Sequence, residues 1–411
     1  MNHILIIGNV WPEPNSSAAG SRMLQLIQFF RSQKWRITFA CAAVDSNHMY
    51  DIESLGVSRI TIQLNHPSFD EFIKQLQPDI VMFDRFMTEE QFGWRVTNHC
   101  PQALKILNTE DLHSLRKTRQ EIVKSGKEFQ IQDLLQSDIA KREIASIYRS
   151  DISLMISDFE IRLLNKHIKI DNEQLFYLPF LFDPITSKTT ENWPDYNLRN
   201  HFITIGNFRH EPNWDSVLYL KTTIWPLIRK QLPDVELHIY GAYPPPKATQ
   251  LHNPKQGFHI KGWAKDATKV MKEARICLAP LRFGAGIKGK LAEAMCNGTP
   301  SITTTIGIEG MCSKESDWNG FVTDDPKKFA ENALKLYKNQ SIWQQAQQKG
   351  IEIINTRFQK EKFNQDLIDC ICIIKENLQE HRSKNFIGAM LQHHTLKSTE
   401  YMSRWIEEKN K

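Results

Sequence analysis

Short apolar runs alternate with amphipathic helical patterns along the first half of the chain. The predicted buried strands are residues 3–7, 35–41, 60–64, 79–83, 104–107, 152–156 and 175–178. Helical patterns follow several of them, for example at residues 69–76 and 159–166. Strands that alternate with helices predict a parallel α/β sheet, whose ligand-binding loops lie at the carboxyl ends of the strands.

The same alternation starts again after a polar segment that lacks periodicity. Further strands are predicted at residues 202–205, 235–240, 258–260, 276–281 and 300–304, and helices dominate from residue 326 onward. The predicted fold is therefore α/β, with two Rossmann-like domains whose parallel sheets face a central cleft. We predict a first domain at residues 1–182, a linker at 183–200, a second domain at 201–365 and a helical tail at 366–411 that packs back on the first domain.

Length and composition agree with two folded domains. The chain has 411 residues, of which 41% are hydrophobic and 24% are charged; this is typical of a folded soluble protein and too long for one ordinary core. No run approaches the roughly 20 apolar residues of a membrane helix, and we expect no signal peptide because the first residues enter a strand directly. Seven cysteines without CxxC spacing indicate a reduced, cytoplasmic setting and no zinc site.

The net charge of +5 is mild for a chain of this length. It does not require a nucleic-acid partner, and it is compatible with an acidic substrate or a membrane surface. Peripheral membrane contact therefore stays open, and there is no strong nucleic-acid signal.

Residues 279–311 hold the densest group of candidate site residues. An apolar run is followed there by a turn with Gly284, Gly286 and Gly289, a predicted helix at 290–296 and a second strand. Glycines let the backbone approach a ligand closely, and the free N–H groups at a helix N-terminus attract an anion. We interpret this unit as a cradle for a sugar-linked diphosphate; an ordinary turn between a strand and a helix is the alternative.

Three charged side chains accompany these glycines. Lys288 and Lys290 lie where a phosphate would arrive, and Glu293 lies one turn into the helix. Because Asn297 stands four residues after Glu293, the carboxylate has no basic partner along the helix and is free to accept hydrogen bonds from ligand hydroxyls. The alternative is that both lysines are simply solvated.

Three segments of the first half are candidates for the opposite side of the cleft. The small-residue loop that ends at Gly20 follows the first strand, and it either contacts a ligand or is a plain connection. His113 follows the strand at 104–107, where a neutral imidazole would orient or polarise a substrate group; a structural role is the alternative. The basic stretch at 116–127 is either a solvated helical hairpin, which we favour, or a flap over an acceptor site.

With these residues in view, the chain resembles the family 4 glycosyltransferases, a retaining group with the GT-B fold of two Rossmann-like domains. The resemblance covers nearly the whole length and is strongest at residues 202–310. The motifs that carry it there are GNFRHEPN at 206–213, APL at 279–281, GAGIK at 284–288, LAEAM at 291–295, GTP at 298–300 and GIEG at 307–310. In the first half the resemblance is weaker, and it rests on Gly20 and on residues 108–116.

The resemblance implies transfer of a sugar from a nucleotide-sugar donor to an acceptor glycan, lipid or other molecule. Retention at the anomeric carbon is implied as well, with no obligatory metal and no cofactor. The implied catalytic residues are His113, which would contact the transferred sugar, and Glu293, which would bind the donor ribose. The backbone near Gly262 and Trp263 would hold the base. The implied donor and phosphate contacts are Gly20, Arg209, Gly284, Gly286, Ile287, Lys288 and Lys290.

Three positions depart from the family pattern. Ala285 stands where the family often has the first of two glutamates, and Asn207 and Pro212 occupy the usual places of an arginine and a lysine. Two alternatives therefore remain: another GT-B enzyme, such as a nucleotide-sugar epimerase or a phosphorylase, and a non-catalytic GT-B module that binds a nucleotide sugar or a partner enzyme. The nucleotide, the sugar and the acceptor are not specified by these residues.

Overall fold

Two parallel sheets organise the structure, a computed structural model that describes residues 2–410 apart from the side chains of residues 394–396. The first sheet has seven strands and the second has six, and neighbouring strands are parallel in both. Helices cover both faces of such sheets, which explains why most of the strands are apolar throughout rather than alternating. The predicted α/β fold with two Rossmann-like domains is confirmed.

The first sheet is built from the strands in the first half of the chain. They are β1 (His3–Gly8), β2 (Arg36–Cys41), β3 (Ser58–Thr61), β4 (Ile80–Asp84), β5 (Leu104–Asn108), β6 (Ile152–Met155) and β7 (Leu175–Tyr177). The helices of this half are α1 (Ala18–Ser32), α2 (Ser68–Leu76), α3 (Phe86–His99), α4 (His113–Lys124), α5 (Ile131–Gln136), α6 (Asp138–Arg149) and α7 (Asp158–Leu163). The strand order is β3-β2-β1-β4-β5-β6-β7, so the direction of winding reverses between β1 and β4.

The second sheet repeats this plan. Its strands are β8 (Asn200–Ile205), β9 (Leu237–Tyr240), β10 (Phe258–Gly262), β11 (Ala274–Ala279), β12 (Ser301–Thr303) and β13 (Gly320–Val322). The accompanying helices are α8 (Ser187–Thr190), α9 (Glu211–Tyr219), α10 (Trp225–Gln231), α11 (Pro246–Thr249), α12 (Ala267–Glu273), α13 (Gly289–Cys296), α14 (Thr305–Ile308), α15 (Pro326–Lys338) and α16 (Gln340–Arg357). The strand order is β10-β9-β8-β11-β12-β13, with the reversal between β8 and β11.

The last three helices return to the first domain. They are α17 (Glu361–Glu376), α18 (Leu378–Lys384) and α19 (Phe386–Lys409). Leu367 and Ile371 of α17 lie in the core of the first domain, and α19 packs against α3 and α6. The chain therefore crosses back just after α16, ahead of the predicted boundary at residue 365. None of the described helices is both long enough and apolar enough to cross a membrane.

Two parts of the chain differ from the expectations. No helix is predicted at residues 86–99, where α3 buries several aromatic side chains. The segment predicted as a linker packs on the second domain: the buried Tyr196 donates a hydrogen bond to the carbonyl oxygen of Tyr337 at 2.5 Å. The guanidinium of Arg199, which is fully buried, donates to the carbonyl oxygen of Asn297 at 2.9 Å. Residues 183–200 are therefore held by the second domain over part of their length.

Candidate active site

A cavity of about 840 Å³ lies between the two domains, at the carboxyl ends of both sets of strands. We call its two sides the first wall, formed chiefly by residues 10–21 and by the residues that follow β4 and β5, and the second wall, formed by the residues that follow β8, β9, β10 and β11. Open parallel sheets bind ligands at this edge, where the strand order reverses and the connections leave in opposite directions. The cavity is therefore the candidate active site.

Lys290 and Glu293 provide charges without a protein partner on the second wall. Both lie on α13 and line the cavity, and neither side chain makes a hydrogen bond or an ion pair with a described residue. Burial lowers the pKa of Lys290 to about 8. Burial, and then the charge of Asp266, raise the pKa of Glu293 to about 7. Because a buried charge without a partner is costly, a ligand that brings an anion to Lys290 and hydroxyls to Glu293 would relieve both.

The glycine turn before α13 contacts the first domain as well as the cavity, which corrects the prediction for Gly286. Its N–H donates to Oε1 of Glu160 at 2.8 Å and is not free for a phosphate. Gly286 has a φ of +63°, and a Cβ there would lie 2.7 Å from the Cβ of Asp111. The carbonyl oxygen of Gly284 accepts a hydrogen bond from Arg119 at 2.9 Å. The need for a glycine at position 286 is therefore explained by the close approach of the two domains.

Lys288 is less available to a ligand than Lys290. Its side chain is buried, and Nζ donates to the carbonyl oxygen of Gly286 at 2.8 Å. Burial lowers the pKa of Lys288, an effect that the nearby carboxylate of Glu309 opposes. Lys288 lines the cavity and still adds positive charge there, but part of its hydrogen-bonding capacity is used by the turn itself.

His113 opens α4 on the first wall. Its Nδ1 lies 3.1 Å from Oδ1 of Asp111 and 3.2 Å from the carbonyl oxygen of the same residue. Burial, together with the charges of Arg116 and Arg85, lowers the pKa of His113 to about 4, although Asp111 opposes this. The imidazole is therefore neutral near neutral pH, with Nδ1–H directed at Asp111, and this leaves Nε2 as an acceptor.

The N-terminus of α4 itself is occupied by a protein carboxylate. The N–H groups of His113 and Ser114 each donate to Glu143 at 2.9 Å. Burial raises the pKa of Glu143 to about 7. This helix end holds His113 in place and is not available to bind a ligand anion.

Several charged residues of the first wall are not among the predicted site residues. Asp111 accepts from Arg116 at 2.7 Å, and although burial opposes it, this pairing lowers the pKa of Asp111. Glu110 accepts from the side chain of Asn108 at 2.8 Å, and burial, followed by the charge of Asp84, raises the pKa of Glu110 to about 7. Arg85 also lines the cavity, directly after β4. The available sequence signal was their position at the end of a predicted buried strand.

His210 is a further residue of the second wall that sequence reasoning did not single out, although it lies next to Arg209. Its side chain is exposed within the cavity, although protein atoms of the cavity walls surround it. The loss of hydration that these atoms cause, and then the charge of Arg116, lower the pKa of His210. His210 is therefore another neutral imidazole near neutral pH.

The two walls also meet at the far end of the cavity, near β10. The indole N–H of Trp263 donates to the carbonyl oxygen of Asn15 at 3.0 Å, and the hydroxyl of Tyr243 donates to Glu13 at 2.8 Å. The guanidinium of Arg209 lies 3.7 Å from the ring centroid of Tyr243, so this exposed cation is held beside the ring by a cation–π contact. These contacts close one end of the cavity.

Gly20 and Gly262 have different environments. Gly20 lines the cavity in the first turn of α1, and a Cβ there would lie 2.3 Å from the carbonyl oxygen of Glu13, so the glycine is needed for the fold of its own loop. Gly262 has a φ of +73° with open space around it, and its carbonyl oxygen accepts from the N–H of Gly241 at 2.8 Å. Gly262 and Gly286 lie outside the cavity lining, whereas nine predicted residues are brought to it: Gly20, His113, Arg209, Trp263, Gly284, Ile287, Lys288, Lys290 and Glu293.

The fold is that of the GT-B class of glycosyltransferases. Residues 199–339, which lie largely in the second domain, match the family model described as glycosyl transferases group 1. A search of curated protein sequences gives no significant match.

Solved structures with the same fold span almost the whole chain. A sucrose-phosphate synthase from Thermosynechococcus elongatus is 14% identical with a TM-score of 0.65, over 91% of this chain and 99% of that one. A TarM variant from S. aureus, in complex with fondaparinux, α-GlcNAc-glycerol and UDP, is 11% identical with a TM-score of 0.68, over 90% and 99%. HepE from Anabaena, in complex with UDP and glucose, is 11% identical with a TM-score of 0.65, over 90% and 100%.

The family match and the fold together support a glycosyl transfer function. At these identities the solved structures establish the fold alone. Among the described residues, no group of three or more histidine, cysteine, aspartate or glutamate side chains is arranged to hold a metal ion.

Proposed function

We propose that the protein is a retaining glycosyltransferase that moves a sugar from a nucleotide-sugar donor to an acceptor. The observation that carries the proposal is the pair of unpartnered charges on α13, Lys290 and Glu293, which face a cavity between two Rossmann-like domains within the region matched by the family model. A nucleotide diphosphate has both groups that these charges require. Its diphosphate is the anion that fits Lys290, and its ribose carries the hydroxyl groups that fit Glu293.

Lys290 has the main electrostatic task in this proposal. Negative charge builds on the leaving diphosphate as the bond to the sugar breaks, and a preorganised cation in a water-poor site stabilises it strongly. Arg209 supplies a second positive charge on the second wall, and Lys288 adds to the field from a position that is already hydrogen-bonded. With these cations in place, we propose that the reaction needs no metal ion and no cofactor.

The remaining donor contacts follow from the same arrangement. The carboxyl group of Glu293 would bind the ribose hydroxyls, and the backbone near Gly262 and the side chain of Trp263 would lie against the base. Nε2 of His113 would accept a hydrogen bond from a hydroxyl of the transferred sugar, because Nδ1–H is directed at Asp111. Retention at the anomeric carbon is proposed from the family resemblance, and the anomeric configuration of the product, determined by NMR, tests it.

The acceptor would enter from the first wall, and its identity is proposed only as a glycan, a lipid or another hydroxyl compound. We propose a cytoplasmic location, since the seven cysteines all carry free thiols. Peripheral membrane contact would be expected if the acceptor is a lipid.

The decisive experiment is a thermal-shift screen against UDP, GDP, ADP and CMP sugars, followed by an assay for donor hydrolysis and transfer. We expect one nucleotide class to stabilise the protein and Glu293→Ala to abolish donor turnover while the fold is retained. The matched control is Glu331→Ala, because Glu331 is an exposed glutamate on α15 of the same domain. Normal turnover in Glu293→Ala would remove the central assignment.

A non-catalytic nucleotide-sugar-binding module is the second candidate. The observation in its favour is Ala285, which carries no carboxylate where the resembled family often has a glutamate. This candidate predicts stabilisation by a nucleotide sugar without hydrolysis or transfer, whatever acceptor is supplied. An epimerase, in contrast, would convert or hydrolyse the donor in the absence of an acceptor.

A further inference from the structure

Arg85 is a cation of the first wall that the proposed donor chemistry does not use. It follows β4 directly, lines the cavity and has a backbone φ of +73°. Its N–H donates to the carbonyl oxygen of Asn108 at 2.8 Å, which holds the backbone in this conformation. Residues other than glycine rarely adopt positive φ, and those that do cluster at functional sites because the strain must be held by the surrounding fold.

The side chain of Arg85 has no partner in the part of the chain that the structure describes. Its guanidinium makes no hydrogen bond or ion pair with any described residue, and Nε is buried without an acceptor. A partly buried guanidinium is stabilised mainly by charge-assisted hydrogen bonds, and its planar fork matches the two oxygens of a carboxylate or a phosphate. The unmet hydrogen-bonding capacity therefore points to an anion that comes from outside the chain.

The carboxylates around Arg85 are already engaged. Asp111 is paired with Arg116, and the carboxylates of Asp84 and Glu110 both accept from the side-chain amide of Asn108, at 3.4 and 2.8 Å. None of them is within ion-pair distance of Arg85. A ligand anion would thus meet a guanidinium that forms no ion pair with any of these carboxylates.

The position of Arg85 indicates which ligand it would contact. It belongs to the first domain, at the end of β4, and it is close enough to His113 to lower the pKa of that residue. The cations assigned to the donor diphosphate, Lys290 and Arg209, lie instead on the second wall. An anion bound by Arg85 would therefore belong to the molecule that approaches the transferred sugar from the side of the first domain.

We propose that Arg85 binds an anionic group, a carboxylate or a phosphate, on the acceptor, so that the protein is selective for anionic acceptors. This inference rests on the proposed function, because it assigns the acceptor class of the same site. It makes Arg85 a residue that determines specificity without taking part in bond cleavage.

The test is a binding experiment with the protein saturated by the nucleotide that the screen identifies. D-Glucuronate, D-glucose and D-glucose 6-phosphate are titrated at constant ionic strength, since they differ at carbon 6 by a carboxylate, a hydroxyl or a phosphate. We expect at least one anionic sugar to bind at least fivefold more tightly than glucose. Arg85→Met should reduce that affinity to the level of glucose and leave nucleotide affinity unchanged, and Arg85→Lys should restore it only in part because the fork is lost.

Two further variants separate this effect from misfolding. Arg85→Gly removes the charge at a residue where glycine adopts the observed φ without strain, so it should fold and show the same loss as Arg85→Met. Arg31→Met is the matched control, because Arg31 is exposed on α1, away from the cavity lining.

The possible results decide between clear alternatives. The inference is overturned if neither anionic sugar binds more tightly than glucose, or if the preference persists in Arg85→Met and Arg85→Gly. A loss of nucleotide affinity in these variants would also overturn it, by assigning Arg85 to the donor diphosphate. If no nucleotide binds to the unmodified protein, the proposed function fails separately, and the same sugar titrations on the free protein still decide whether Arg85 forms an anion site.

Discussion

The two walls of the cavity handle charge in different ways. On the second wall, Lys290 and Glu293 lie within one turn of α13 and have no partner among the residues that the structure describes. On the first wall, Asp111 is paired with Arg116, and His113 is kept neutral by burial and is oriented by Asp111. The second wall therefore has charges available to a ligand, whereas most charges of the first wall hold one another in a fixed geometry.

This difference suggests a division of labour. Unpaired buried charges gain the most when a charged ligand arrives, so the second wall would supply most of the donor-binding energy. A paired network supplies little binding energy, but it holds an imidazole in one tautomer and one orientation. Arg85 lies on the first wall but has no partner among the described residues, and it is the residue for which we propose an acceptor anion.

The first prediction removes the positive charge of the second wall. Lys290→Met should lower kcat about 10²–10³-fold, because one preorganised group that stabilises the developing charge is lost. The matched control is Lys327→Met, since Lys327 is an exposed lysine on α15. Steady-state kinetics of donor turnover measure the effect. A loss of less than fivefold would mean that the leaving group is stabilised elsewhere, and the comparison between the walls would then have to be revised.

The second prediction concerns the ion pair between Arg119 and Glu309, which joins the two domains. Arg119 of α4 forms two hydrogen bonds with Glu309 of the second domain, both at 2.7 Å, and both side chains are largely buried. Arg119→Met leaves the carboxylate without its partner and should lower the free energy of unfolding by about 3 kcal/mol. The double variant Arg119→Met/Glu309→Gln should recover most of that loss, since no unpaired charge remains. Thermal unfolding of the three proteins measures this, and equal losses in the single and double variants would argue against a coupled pair.

The sequence predicted residues that lie close together along the chain better than contacts between distant segments. The stretch at 279–311 predicted the strand, the helix and the two unpaired charges of the second wall, because all of them are close together in the sequence. Arg85 and Glu110 were not identified, since they come together only through the pairing of β4 with β5. The basic stretch at 116–127 was favoured as solvated, yet Arg119 is buried against the second domain. A positive charge in an amphipathic helix does not by itself indicate which partner another domain will bring to it.

Gly286 illustrates a second limit of prediction from the sequence pattern. A turn that must approach a phosphate and a turn that must approach another domain both require a residue without a side chain, so the sequence pattern is the same. The structure separates the two cases, because a Cβ at Gly286 would meet Asp111 and the N–H is bound by Glu160.

The third prediction compares a glycine that faces the other domain with one that does not. Gly286→Ala and Gly262→Ala place the same methyl group at similar φ values of +63° and +73°, but only Gly286 faces the first domain. Gly262→Ala should cost about 1 kcal/mol, the strain of an alanine in this region, and Gly286→Ala at least about 2 kcal/mol because the walls must also separate. Denaturant unfolding measures the difference. Equal losses in the two variants would show that the contact at Asp111 is easily relaxed.

The smallest expected effect is a pH dependence that belongs to the second wall alone. The pKa of Lys290 is lowered by burial to about 8, so in the free protein the charge is present below that pH and is lost as the pH rises through it. A bound diphosphate favours the charged form, and its affinity should therefore fall as the pH rises, about fivefold between pH 8 and pH 9 for a single group of this pKa. Glu293, with its pKa raised to about 7, is already ionised over most of that interval and contributes little to the change.

Isothermal titration with the nucleotide identified by the screen measures the slope of affinity against pH, and Lys290→Arg should remove that slope, because arginine stays protonated throughout. A slope that persists in Lys290→Arg would place the titrating group elsewhere, and a flat profile in the unmodified protein would mean that Lys290 does not contact the diphosphate.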